Sequence, residues 1–134
     1  MLKITRSVRD AMVQLAKRES PIEACGYLAG TPGEARLLIP MTNIDHSPEH
    51  FSFAPQEQFQ ALKQARNAGF QLLAVFHSHP ASPARMSAED IRWANDPDLV
   101  YIIVSLADSE PVIRGFRIKE KSVSEETLEF TEDG

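Results

Sequence analysis

Only one cysteine, Cys25, stands among the 134 residues, so no disulfide can form within the chain. Long apolar runs are missing too, and none approaches the roughly 20 residues that cross a bilayer as a helix. There is no lysine or arginine run, and the formal net charge is −5. Phosphate binding needs a basic face, so nucleic acid is not an expected partner. The opening MLKITRSVRDAM alternates charged with apolar residues and has no signal-peptide apolar core. Repeats, linkers and low-complexity segments are absent. A cytoplasmic protein without a membrane partner is expected.

What is present is an ordinary globular composition, 43% hydrophobic and 25% charged. A chain of this length suits a single domain, residues 1–134, and can bury a core without a structural metal. A metal bound here would serve chemistry rather than folding.

Val8, Ala11, Met12, Leu15 and Ala16 recur at helical spacing, which predicts an amphipathic helix over about 5–19, ended before Pro21. Ile22 to Gly30 is mostly apolar and strand-like, and the turn Thr31-Pro32-Gly33-Glu34 returns it through Ala35–Ile39 as a hairpin. Residues 40–54, with His46 and His50, read as an irregular connection. Pro55 opens a helix with Phe59, Leu62 and Ala65 as its buried stripe and Gly69 at its C-terminal end. Phe70–Phe76 is almost continuously apolar, as a strand covered on both faces would be. A loop over Pro80–Met86, a short helix from Ser87 to about Asn95 and a strand over Leu99–Leu106 follow. Pro111–Ile118 and Val123–Phe130 are two further strands, and the chain ends in an acidic tail. The fold class is α/β: one mixed sheet with flanking helices.

The central strand runs into His77-Ser78-His79-Pro80. Imidazoles at i and i+2 share one side of an extended backbone, and Asp90 follows on the next turn as a possible third ligand. Three nitrogen and oxygen ligands leave one tetrahedral position open, the mark of a catalytic zinc site. Ser87-x-x-Asp90 also fits a helix capping box, and Ser87 is first of all a cap. Glu23, a carboxylate in an apolar run, is costly if buried without a partner and is the candidate general base. Cys25 is best read as a buried strand residue, and His46 and His50 as loop residues. A zinc nucleobase deaminase would need a Pro-Cys-x-x-Cys pair, which one cysteine cannot supply.

Glu23, the His77-Ser78-His79-Pro80 stretch, Ser87 and Asp90 together resemble the signature of the JAMM (MPN+) metalloproteases. The likeness extends to Cys25-Gly26-Tyr27-Leu28, Asn43, the helix before the histidine pair and Val104-Ser105-Leu106, roughly residues 20–118. It implies a JAMM/MPN fold of the cytidine-deaminase-like type. It also implies one Zn²⁺ per chain on His77, His79 and Asp90, with Glu23 as general base and Ser87 as hydrogen-bond donor to the developing oxyanion. The compact form, with Pro83-Ala84-Arg85 in the loop, is similar to bacterial members acting on sulfur carriers. The implied reaction is hydrolysis of a peptide or isopeptide bond after the C-terminal diglycine of a ubiquitin-like or sulfur carrier protein. Larger ubiquitin-cleaving relatives carry insertions, whereas residues 91–99 alone separate Asp90 from the next strand here, which favours a small, extended tail. The alternative on the same fold is a non-catalytic interaction module; such relatives usually lack ligands, and none is missing here. The oligomeric state and the natural substrate are left open by the sequence.

Overall fold

The computed structural model describes residues 1–133. Its elements are β1 (Leu2–Thr5), α1 (Arg6–Glu19), β2 (Cys25–Thr31), β3 (Glu34–Met41), α2 (Pro55–Asn67), β4 (Gln71–His79), α3 (Ala88–Trp93), β5 (Val100–Ser105), β6 (Val112–Lys119), β7 (Ser122–Glu126) and β8 (Leu128–Thr131). The eight strands form one mixed sheet in the order β7-β6-β5-β4-β2-β3-β1-β8. β4 lies at its centre, antiparallel to β2 and parallel to β5. None of the described helices is long and apolar enough to cross a membrane.

Alternation along β4 explains both its apolar run and its placement. Ala74 and Phe76 pack with Val8, Met12 and Leu15 of α1, while Val75 packs with Ala61 and Ala65 of α2. A strand covered on both faces has no solvent side to mark with polar residues. Burial of each large side chain in these clusters stabilises the fold by roughly 1.5–3 kcal/mol. A third cluster, of Ala84, Ile103 and Phe116, lies under the loop that follows β4.

The helix boundaries match the pattern closely, with α1 over Arg6–Glu19 and α2 over Pro55–Asn67, and Gly69 at φ +78 just beyond α2. The strands depart from expectation in four places. β2 begins at Cys25, so Glu23 lies outside the ladder, its N–H donating instead to Ser47 O at 2.9 Å. β4 continues through His79, with His77 opposite Ile103 and His79 opposite Ser105; the histidines belong to the strand rather than to its exit loop. The four-residue β1 has no signal in the local pattern, because its pairing with β3 and β8 is long-range. Val123–Phe130 is two strands, not one.

That last break shapes the molecule. Only Thr127 separates β7 from β8, yet the two stand at opposite ends of the strand order. The sheet therefore curls until its edges meet, where the N-terminal amine pairs with Glu126 and Leu2 N donates to Thr127 O at 2.9 Å. A Cβ on Gly115 would lie 2.8 Å from Leu128 Cδ2 and 3.1 Å from Glu126 O, so a larger residue there would push the Leu128 side chain aside at this seam. The acidic tail is also used. Thr5 gives α1 no side-chain cap, and Asp133 Oδ1 accepts from Ser7 N at 3.0 Å in its stead.

Candidate metal centre

The β4 pleat turns His77 and His79 to the α2 side of the sheet, as for Val75, and Ser78 to the other. Ser78 Oγ accepts from Ala24 N at 2.7 Å, and Ser78 N donates to Ala24 O at 2.9 Å. The residue between the two histidines thus fastens the segment that carries Glu23. Asp90 enters from α3, where the expected capping box is present: Asp90 N donates to Ser87 Oγ at 3.0 Å and Ser87 N to Asp90 Oδ2 at 2.9 Å. The cap that starts the helix also orients the carboxylate.

His77 Nε2 lies 3.1 Å from His79 Nε2 and 3.1 Å from Asp90 Oδ1, and His79 Nε2 lies 3.1 Å from Asp90 Oδ2. Ligand atoms around a tetrahedral zinc, at about 2.0–2.1 Å from the ion, stand roughly 3.3 Å apart, so the two Nε2 atoms, with the Asp90 carboxylate bridging them through one oxygen each, suit one small cation. The donor chemistry agrees. His79 Nδ1 is 2.8 Å from Pro83 O, which can only accept. Nδ1 therefore carries the proton, and in the neutral ring Nε2 presents a lone pair. Burial holds His77 below the usual imidazole range and favours its neutral form, against the pull of Asp90. His79 is drawn down by burial, but its bonds to Asp90 and Pro83 outweigh this and raise it. Burial alone would raise Asp90; the two imidazoles overcome it and hold the carboxyl well below its ordinary range.

Glu23 is 3% exposed, and its Oε1 has no hydrogen-bond partner. A Glu23 oxygen and one ring nitrogen of each histidine lie within 4.8 Å of one another, a reach that one intervening water spans. Burial pushes the Glu23 carboxyl up to about 8, with His79 opposing and Asp90 and Glu49 adding to the rise. Isolated buried carboxylates are costly, so this one is poised for a proton or for a cation beside it.

The remaining sequence candidates fall around this group. Cys25 is buried opposite His77 in the β2–β4 register, its thiol pushed up to about 12 by burial first and then by Glu57, Glu23 and Glu19, which disfavours the thiolate that a nucleophile needs. His46, at φ +46, lines a crevice that also reaches Glu23. His50 is exposed, with Nδ1 3.0 Å from Asp45 Oδ2. Three contributors carried no spacing signal: Ser78, the Pro83 carbonyl, and Phe51, whose ring stacks on His77 at 4.8 Å and 27°. His77 and Asp90 form one wall of a cleft of about 280 Å³, faced by Tyr27, Phe51, Phe53 and Trp93.

Paired histidines on a central strand, a capped aspartate and a buried glutamate on this mixed sheet define the JAMM/MPN class of proteins. The profile of the family described as prokaryotic homologs of the JAB domain matches residues 5–119, and the chain belongs to that family. It is similar to a Mycobacterium tuberculosis protein named CysO-cysteine peptidase, at 36% identity over 135 residues, covering 98% of this chain and 92% of that one. A solved structure of a Desulfitobacterium hafniense protein superposes with a TM-score of 0.91 at 43% identity, covering 99% of this chain and 94% of that one. A JAB1/MPN domain protein from Archaeoglobus fulgidus shares the fold, with a TM-score of 0.68 at 23% identity over 98% of this chain and 100% of that one.

Proposed function

We propose that this protein is a zinc-dependent metallopeptidase that hydrolyses the peptide or isopeptide bond after the C-terminal diglycine of a ubiquitin-like or sulfur carrier protein. One observation carries the reading: His77 Nε2 and His79 Nε2, 3.1 Å apart and each 3.1 Å from one oxygen of the Asp90 carboxylate, stand beside a buried carboxylate oxygen with no partner. A structural metal site is closed by its ligands and has no use for such a base.

His77, His79 and Asp90 would hold one zinc per chain. Zinc held there supplies Lewis acidity, polarising a carbonyl and making water easier to deprotonate. Glu23 takes the proton of the attacking water and hands it to the departing amine; the first transfer requires the ionised carboxylate, which a cation held beside it favours. Ser87 Oγ accepts from Asp90 N, and a hydroxyl used as acceptor keeps its own proton free to donate. That proton is directed to the oxygen of the scissile carbonyl, a contribution of roughly 2.7–4 kcal/mol where such donors have been removed. The aromatic walls of the cleft suit an extended tail, and the short connection between Asp90 and β5 leaves the cleft open. The name of the mycobacterial relative supports a carrier bearing a single amino acid on the leaving side.

The test incubates the protein with sulfur carriers extended by one residue after Gly-Gly and follows the mass of the carrier. Removal of the extension is expected, and a chelator should abolish it. Glu23→Gln should keep one zinc per chain and lose turnover by about 10²–10⁴-fold, the usual weight of a general base. A zinc-loaded wild-type protein inert on every such carrier would favour an interaction module instead.

A further inference from the structure

We infer that Asn43 is the positioning residue for Glu23. The general base lies outside the sheet ladder, since β2 begins two residues later at Cys25, so something other than strand pairing must fix its backbone. Asn43 does so from the connection after β3. Its side chain is 7% exposed, and Nδ2 donates to Glu23 O at 3.1 Å and to His50 O at 3.0 Å, with Ser47 O at 3.4 Å. Oδ1 accepts from Asp45 N at 3.1 Å. The orientation of the amide is unambiguous, because the three carbonyls only accept and the Asp45 N–H only donates.

The loop closes on Glu23 from its other side too, Ser47 O accepting from Glu23 N at 2.9 Å. Both backbone polar groups of Glu23 are therefore held by the segment that Asn43 organises. The same amide anchors His50, next to Phe51, whose ring backs His77. One buried side chain thus sets the base and the support of an imidazole 54 residues away in sequence from Glu23 to a common frame. His77, His79 and Asp90 are held independently, by β4 and by the α3 cap. Loss of Asn43 should displace the base and leave the metal ligands in place, and displacements of about 1 Å at a reacting group can cost on the order of 10²-fold in rate.

The catalytic half of this inference rests on the proposed peptidase reading; the structural half does not, and two measurements keep them apart. Amide hydrogen exchange on full-length Asn43→Ala should show protection at Glu23 and Asp45 falling at least 10-fold, with Gly26 and Leu28 in β2 unchanged. Unaltered exchange at Glu23 would overturn the inference whatever the protein hydrolyses. On a diglycine-extended carrier, Asn43→Ala should retain one zinc per chain and lose kcat about 10–100-fold with KM within threefold. The Glu23→Gln/Asn43→Ala double variant should be no slower than Glu23→Gln alone, since a misplaced base and a missing one cost the same step. A full further loss in the double variant, or a drop in activity that follows loss of zinc, would show Asn43 to be structural only. Asn43→Asp keeps the acceptor for Asp45 N but removes both donors, and should reproduce the Asn43→Ala loss; wild-type kcat in that variant would also overturn the assignment.

Discussion

Glu23 is the residue whose surroundings make the strongest demand. Desolvation outweighs the attraction of His79 and raises its carboxyl from an ordinary 4.5 to about 8 in the metal-free protein. Between those two values the native state keeps a proton that the unfolded chain has released. Native protein then binds more protons than unfolded protein, so stability falls as pH rises across that window. Glutamine does not titrate, and Glu23→Gln should lack this part of the slope. Urea midpoints at pH 5, 6.5 and 8 in chelator test it: wild type should lose ground relative to the variant at each step. Parallel curves for the two proteins would contradict the placement of Glu23. At this scale, what could be read from the chain was chemistry at fixed spacing. His77 and His79 show themselves because alternate residues of a strand share one face, and Asp90 because Ser87-x-x-Asp90 marks the start of a helix. Phe51 and Ser78 do not, because stacking on an imidazole and accepting from Ala24 N depend on segments brought together only by the fold.

The elements that carry the site each do two things, and Ser87 shows how the two can be separated. It is the N-cap of α3 and, on the proposed reading, the donor to the substrate oxygen. Replacement of an N-cap serine by alanine costs typically about 1 kcal/mol, but by glycine only a few tenths. Removal of an oxyanion donor costs on the order of 10²–10³ in kcat with either residue. Ser87→Gly should therefore unfold close to the wild-type denaturant midpoint while losing turnover as fully as Ser87→Ala. Turnover that tracks stability across the pair would leave Ser87 with the cap alone. Helix ends were largely legible because end signals are local: Pro55 at the start of α2, Gly69 past its end. The buried face of α2 was not: Ala61 and Ala65 are buried, whereas Phe59, expected in the stripe, is 62% exposed. Strand limits were not. The start of β2 at Cys25 and the extension of β4 to His79 are set by which partner each backbone group finds, a long-range choice.

At the scale of the molecule, the site sits on a fold that does not depend on it. The core is two layers, one under α1 and one under α2, with β4 contributing alternate side chains to each, and the ligand triangle lies beyond both, at the end of β4. The closure of the sheet through Thr127 and the docking of Asp133 on α1 stabilise the far side without reference to the histidines. A metal bound by such a frame adds stability through linkage alone, since it binds the native state and not the unfolded chain. With free zinc a thousandfold above Kd this amounts to about 4 kcal/mol, and in a chain of this size each kcal/mol moves Tm by roughly 3–5 °C. Chelation should thus lower Tm by on the order of 10 °C and leave far-ultraviolet circular dichroism unchanged at 25 °C, with full recovery on adding zinc back. Unfolding on chelation would mean that His77, His79 and Asp90 hold the sheet and α3 together through the ion, the behaviour of a structural centre. A folded apoprotein that regains both Tm and hydrolysis with one equivalent of zinc is what an open site on a self-sufficient core requires.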